Sequence, residues 1–128
     1  MFKSEDLHHI NAISLYVQDI ARSKAFYQRV FQAQIAHEDE QNVVVKFGSL
    51  MLNLLDMRLA YAPTGPDRGP LPLELNIWVE DVDAAYEALL QRGVTFLAPP
   101  QDQPWGMRNV TFFDPDGHRF ELAQPIGR

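Results

Sequence analysis

The chain has 128 residues, a net charge of −6 and no cysteine, which is the profile of one ordinary acidic domain without disulfides or thiolate metal sites. Its 11 lysine and arginine residues form no basic cluster, and this argues against nucleic acid as a partner. No stretch resembles a signal peptide or reaches the roughly 18 apolar residues of a membrane span. We therefore expect a soluble, cytoplasmic protein with no membrane partner.

The first half of the chain predicts one strand, one helix and three further strands. Residues 12–17 alternate as a strand, and Asp19 is a typical N-cap for an amphipathic helix over residues 20–31. Three strands are predicted next, over residues 34–37, 43–47 and 50–55. The segment from residue 58 to 72 is rich in proline and glycine, so it predicts a linker.

The second half predicts the same order of elements. Residues 73–79 form a predicted strand, Asp81 is the N-cap of a second helix, and Gly93 closes that helix. Three strands are predicted next, over residues 94–97, 108–113 and 118–123. A loop is expected over residues 99–104, and Asp114-Pro115-Asp116-Gly117 predicts a tight turn between the last two strands.

The two halves form an internal repeat. Val17-Gln18-Asp19-Ile20 and Val79-Glu80-Asp81-Val82 each end a strand and begin a helix. Two β-α-β-β-β modules predict an α+β fold with a curved, mixed and mainly antiparallel sheet, helices outside and a concave interior. We expect a single domain over residues 1–128, with module 1 at about 8–57, a linker at about 58–71 and module 2 at about 72–125.

The repeat also predicts which polar residues converge. Ala12 and Glu74 occupy equivalent positions, as do Asn53 and Glu121. A pseudo-twofold relation between the modules would bring all four onto the concave face. Asn76 follows Glu74 by two residues and therefore points the same way along its strand.

The two glutamates have three interpretations. They could be oxygen ligands of a cation, together with the amide of Asn53. They could be an acid–base pair, because like charges held close raise one pKa, and Glu74 and Glu121 are then the catalytic candidates. They could also be the remnant of an ancestral site, neutralised by an internal partner such as Arg108. His118 begins the last strand and points away from Glu121, so we expect it to serve the fold.

Trp105 and Arg108 lie together in the segment PWGMR, just before the penultimate strand. An aromatic ring and a cation at the mouth of a pocket suit a small molecule. The alternative is that Trp105 packs against the protein and Arg108 makes an ion pair.

Three segments and the paired-module order resemble the vicinal oxygen chelate (VOC) superfamily, which includes glyoxalase I, extradiol dioxygenases, and fosfomycin- and bleomycin-resistance proteins. The segments are ISLYVQDIARSKAFYQRVF, LNIWVEDVDAAYEALLQRGV and PWGMRNVTFFDPDGHRFEL. The resemblance covers nearly the whole chain and implies the glyoxalase/bleomycin resistance-type fold. In metal-dependent members four inward strand positions carry His, Glu or Gln. Here those positions read Ala12, Asn53, Glu74 and Glu121, so the resemblance implies a degenerate metal site.

The resemblance implies three functions. The first is a metal-independent protein, without a cofactor, that binds a small molecule in a concave pocket at a homodimer interface; its expected contacts are Asn53, Glu74, Asn76, Trp105, Arg108 and Glu121. The second is a divalent-metal-dependent lyase or isomerase of the glyoxalase type, using Glu74 and Glu121 with Asn53 as a third ligand. The third is a non-catalytic subunit with a vestigial cavity. Whether the protein is an enzyme therefore stays open at this point.

Overall fold

The computed structural model describes residues 2–58 and 73–126, and the chain folds as two compact units, Met1–Pro70 and Leu71–Arg128. In the described residues each unit contains one α-helix and one four-stranded mixed sheet, which confirms the predicted α+β class. From residue 59 onward, the predicted linker lies outside the described residues. No helix in the described part of the chain is long and apolar enough to cross a membrane.

The first unit has the predicted order of elements, with no boundary displaced by more than one residue. Its elements are β1 (Ala12–Val17), α1 (Ile20–Phe31), β2 (Ile35–Glu38), β3 (Asn42–Phe47) and β4 (Leu50–Asp56), after a short 3-10 helix at Ser4–His8. The sheet order is β1-β4-β3-β2. Strand β1 runs parallel to β4, and the other pairs are antiparallel.

Helix α1 begins and ends where local chemistry dictates. The Asp19 carboxylate accepts a hydrogen bond from the backbone N–H of Arg22 at 3.1 Å, which caps the first turn. Gln32 adopts a left-handed conformation at the other end, with φ of 54°, and its N–H donates to the carbonyl of Tyr27. The buried face of α1 includes Phe26, Tyr27 and Val30. It covers a sheet face made of Leu15, Val17, Val43, Val45, Leu52 and Leu54.

The second unit has the predicted order but not every predicted strand. Its elements are β5 (Glu74–Trp78), α2 (Val82–Gln91), β6 (Gln101–Gln103), β7 (Met107–Phe113) and β8 (Arg119–Pro125), in the sheet order β5-β8-β7-β6. The strand predicted over residues 94–97 is wrong, since only Phe96 makes an isolated bridge there. The edge strand β6 lies instead within the predicted loop 99–104. Pro99 and Pro100 have no N–H to donate, so regular pairing begins only after them.

The core of the second unit is a cluster of aromatic rings. Phe112 and Phe120 stack with their centroids 5.3 Å apart, and neither is exposed. Phe96 packs edge-on against Phe112 at 5.5 Å, and Tyr86 of α2 lies 4.8 Å from Phe96. The helix and two central strands of this sheet therefore share one apolar centre.

Arg108 joins three elements of this unit. Its guanidinium donates to both carboxylate oxygens of Asp83 in α2, the shortest distance being 2.9 Å, and to Asp102 in β6 at 3.0 Å. The hydrogen bonds that Arg108 donates to Asp83 lower the pKa of that carboxyl below its ordinary value. The second helix is thus tied by charge to the edge of the sheet that it covers.

The turn before β8 is closed by a buried carboxylate. Asp114 accepts the backbone N–H groups of Asp116 and His118, both at 2.9 Å. His118 is 3% exposed, and its Nδ1 accepts from the backbone N–H of Leu73 at 3.0 Å. This confirms that His118 serves the fold, because it fixes the chain just before β5.

Phe112 and Phe113 provide a matched test of this core. Replacing Phe112 with Ala should lower the free energy of unfolding by about 3–5 kcal/mol, because it empties a fully buried site. Phe113→Ala should cost clearly less, since that side chain is 41% exposed. Urea denaturation of both variants measures the difference, and equal losses would contradict the assignment of the two sheet faces.

The Asp83–Arg108 pair predicts a pH dependence. A carboxylate whose pKa is lower in the folded state stabilises the fold above its unfolded pKa of about 4 and loses that effect as the pH falls through its folded pKa. Asp83→Asn should therefore reduce stability at neutral pH and match the wild type in strong acid. Urea denaturation across this pH range, with Glu87→Gln on the same helix as a charge-matched control, measures it. A deficit that persists unchanged well below pH 4 would rule out the ion pair as its cause.

Candidate functional site

Each sheet has one face covered by its own helix and one that is not; we call the second the helix-free face. In the second unit, residues Phe112, Phe120 and Leu122 point toward the helix, as their burial shows. Their neighbours along the strands point the other way. The helix-free face is made of Glu74, Asn76 and Trp78 on β5, Arg119 and Glu121 on β8, and Met107, Asn109, Thr111 and Phe113 on β7.

Glu121 lies in the interior of this face. Strand β8 runs between β5 and β7, and Glu121 is directly opposite Asn76 on one side and Thr111 on the other. The residue is half-buried. Its carboxylate makes no hydrogen bond or ion pair with any residue of the described ranges. A half-buried charge without a protein partner leaves an acceptor available to a ligand.

Glu74 shares the helix-free face but has a different environment. It is paired in register with Arg119, and the Glu74 carboxylate lies 4.0 Å from the Arg119 Nε. Both side chains are about half exposed. Glu121 lies two residues beyond Arg119 on β8. The two glutamates are therefore diagonal neighbours on one sheet face, as the repeat predicts.

Arg108 lies on the opposite face of the sheet from the glutamates. It shares the alternation of Val110 and Phe112, and its guanidinium is occupied by Asp83 and Asp102. The interpretation that Arg108 neutralises the glutamates is therefore wrong, because alternation directs it toward the helix. Its role as a ligand contact stays a prediction, as does that of Trp105, which is 67% exposed in the β6–β7 turn.

Asn53 occupies the equivalent place in the first unit. It lies on the helix-free face of β4, paired in register with Ser14 of β1. Its side-chain amide lies 3.2 Å from the Ser14 hydroxyl oxygen and 2.7 Å from the amide of Asn42. The amide of Asn53 is therefore held between two polar partners.

The internal repeat holds at the level of strand register. Ser14 pairs with Asn53 as Asn76 pairs with Glu121, and Ala12 pairs with Met51 as Glu74 pairs with Arg119. Sequence reasoning missed Ser14 and Arg119. Ser14 follows Ala12 by two positions on β1, and Arg119 precedes Glu121 by two positions on β8. This spacing places each of them on the same sheet face as a candidate residue, and it could have identified them from the sequence.

The residues at the four positions implied by the VOC resemblance do not fit a divalent metal. Ala12 has no ligating atom, the Asn53 amide is engaged by Asn42 and Ser14, and Glu74 faces the cation of Arg119. Across residues 2–58 and 73–126, no three His, Asp or Glu side chains are grouped closely enough to hold a metal ion. A conventional site needs several such ligands in one place.

A separate depression of about 500 Å³ lies at the end of α1 in the first unit. Phe31 and Phe47 supply its aromatic wall, with ring centroids 5.0 Å apart, and Lys46 is its one charged lining residue. None of the residues predicted to contact a ligand lines it. Its volume suits a small molecule, but it offers no carboxylate.

Comparison with known proteins gives the family. The model of the "Glyoxalase/Bleomycin resistance protein/Dioxygenase superfamily" matches residues 7–122. An uncharacterized protein of Mycobacterium tuberculosis is 28% identical over 122 residues, covering 88% of this chain and 72% of that protein. A metallothiol transferase, FosB, of Lysinibacillus sphaericus is 27% identical over 121 residues, covering 88% and 79%.

The fold has a close counterpart among solved structures. A glyoxalase/bleomycin resistance protein/dioxygenase from Nocardioides superposes with a TM-score of 0.78 at 22% identity, covering 97% of this chain and 94% of that one. The family model spans both units and agrees with the paired β-α-β-β-β order of the chain. The protein therefore belongs to the Glyoxalase/Bleomycin resistance protein/Dioxygenase superfamily.

Proposed function

We propose that this protein binds a small organic molecule that carries a positive charge or hydrogen-bond donors, through the helix-free face of its second unit. The observation that carries the proposal is the Glu121 carboxylate. It is half-buried, lies on an interior strand and has no protein partner among the described residues. An ammonium, guanidinium or donor group on a ligand would complete its hydrogen bonding.

The surroundings of Glu121 favour the same class of ligand. Asn76 lies directly across from it and is exposed, so its amide can add a hydrogen bond. Trp78 follows Asn76 by two residues on the same face and is 70% exposed. An exposed indole beside a carboxylate suits a cationic or aromatic group. The net charge of −6 also attracts cations toward the protein.

The six predicted contacts differ in how well the geometry supports them. Asn53, Asn76 and Glu121 lie on helix-free faces and present polar atoms there. Glu74 is partly satisfied by Arg119. Trp105 is exposed, so its ring is accessible to a ligand. Arg108, in contrast, would have to break its ion pairs with two carboxylates to reach one. The expected pocket at a homodimer interface remains part of this proposal, and a monomeric mass by light scattering would remove it.

A binding screen with a charge-matched variant tests the proposal. Cationic compounds that raise the Tm would each be paired with a neutral compound of the same shape. The affinities of both members of each pair would be measured by calorimetry. Glu121→Gln should weaken the cationic member by about 10–100-fold, since a hydrogen bond to a charged group contributes roughly 1.5–3 kcal/mol.

Glu87→Gln on the exposed side of α2 removes the same charge from the same unit and should leave binding unchanged. Equal affinity of the wild type and Glu121→Gln would contradict the proposal. The absence of any stabilising compound in a broad cationic and aromatic screen would contradict it too, and would favour the non-catalytic subunit with a vestigial cavity.

The divalent-metal-dependent lyase or isomerase is the second candidate. Two glutamates on one sheet face favour it, as does the similarity to proteins named metallothiol transferase. Its test is the metal content of protein purified after supplementation with Mn, Ni, Zn and Mg. We expect substoichiometric metal that Glu121→Gln does not change. One equivalent of metal that is lost in Glu121→Gln would replace the binding proposal with this one.

A further inference from the structure

A line of polar side chains crosses the helix-free face of the first unit. It runs from His37 on β2 through Asp39 and Asn42 to Asn53 on β4, and ends at Ser14 on β1. The joining distances are 2.9 Å between His37 Nε2 and Asp39 Oδ2, 2.7 Å between the two asparagine amides, and 3.2 Å from Asn53 to the Ser14 Oγ. We call these five residues the polar relay.

Asp39 is the fixed point of the polar relay. Its Oδ1 accepts the backbone N–H groups of Gln41 at 2.8 Å and Asn42 at 3.0 Å. The hydrogen bond from His37, together with these two backbone hydrogen bonds, lowers the pKa of Asp39. The carboxylate is therefore ionised at neutral pH, and an ionised carboxylate can only accept hydrogen bonds.

This constraint sets the orientation of the Asn42 amide. The amide lies between Asp39 and Asn53. One of its two polar atoms is 2.8 and 3.0 Å from the carboxylate oxygens of Asp39, and the other is 2.7 Å from the Asn53 amide. An amide oxygen placed against the carboxylate would set acceptor against acceptor. The nitrogen of Asn42 therefore donates to Asp39, and its oxygen is directed at Asn53.

The orientation of the Asn42 amide in turn sets the orientations of the Asn53 amide and the Ser14 hydroxyl. An amide oxygen on Asn42 requires the nitrogen of Asn53 to face it, so the oxygen of Asn53 is directed at Ser14. The Ser14 hydroxyl then donates its single hydrogen to Asn53. Two lone pairs of the Ser14 oxygen are left, and Ser14 is exposed on the helix-free face.

We propose that Asp39 determines ligand specificity through the polar relay, by making Ser14 a hydrogen-bond acceptor that selects a donor group on a molecule bound at the helix-free face of the first unit. Asp39 is a positioning residue, since it acts through Asn42 and Asn53. This inference rests on the proposed function. It extends that function to the first unit, where Ser14 and Asn53 occupy the register position that Asn76 and Glu121 hold in the second.

The first arm of the test measures the orientation of the Asn53 side-chain amide in the absence of a ligand. In the wild type, NMR should show contacts from the side-chain amide protons of Asn53 to the Cβ protons of Asn42 and not to those of Ser14. Asp39→Asn keeps an oxygen to accept the turn N–H groups but can also present N–H, so it releases the constraint. Contacts to Ser14 should then appear. Contacts to Ser14 already present in the wild type would overturn the proposal.

The second arm uses phenol and anisole as probes, which share a ring but differ in having or lacking an O–H donor. Phenol should shift the amide signal of Ser14 at millimolar concentration and anisole should not. In Asp39→Asn the affinity for phenol measured from this shift should fall by about 3–10-fold, in keeping with one neutral hydrogen bond of roughly 0.5–1.5 kcal/mol.

Glu40→Gln is the control, because it removes the same charge next to the relay and should preserve the affinity for phenol. An unchanged affinity in Asp39→Asn would overturn the proposal, and so would the failure of phenol to shift Ser14 in the wild type. Binding of cationic compounds that depends on Glu121 would survive both results. The failure of this inference is thus distinguishable from failure of the proposed function.

Discussion

The alternation of the last strand in each unit is the constraint on which the rest of the structure depends. In β8, Phe120 and Leu122 are buried beneath α2, and this forces Arg119 and Glu121 onto the other face. In β4, Leu52 and Leu54 are buried beneath α1, and Asn53 is turned outward in the same way. A one-residue slip in either strand would bury a polar group and expose the core. The polar positions are therefore fixed by apolar packing on the opposite side.

Much of the fold could be predicted because its signals are local. Asp19 and Asp81 are N-caps by sequence, and each accepts the expected backbone N–H in the structure. The turn at Asp114-Pro115-Asp116-Gly117 carries a glycine with φ of 86°, as its composition requires. The edge strand β6 could not be predicted, since Gln101-Asp102-Gln103 has no alternation and becomes a strand only by pairing with β7.

The sequence predicted which candidate residues share a sheet face but not their partners. Strand alternation and the repeat placed Glu74, Asn76 and Glu121 on one face, and the strand register agrees with this for the second unit. Sequence reasoning could not show that Arg108 binds Asp83 and Asp102, because these contacts join elements distant in sequence. It also missed Asp39 and Asn42, whose effect on Asn53 depends on hydrogen bonds that run from the β2–β3 turn through β3 to β4. Family membership fixes the fold and leaves the ligand to be found by experiment.

The most direct measurement is an NMR titration with a cationic compound that stabilises the protein. The side-chain amide signal of Asn76 reports on the helix-free face of the second unit, whereas those of Gln32 and Gln34 report on the depression at the end of α1. We predict a shift of the Asn76 signal that saturates with the binding curve, and none at the two glutamines. Shifts confined to Gln32 and Gln34 would place the ligand in the depression and contradict the account.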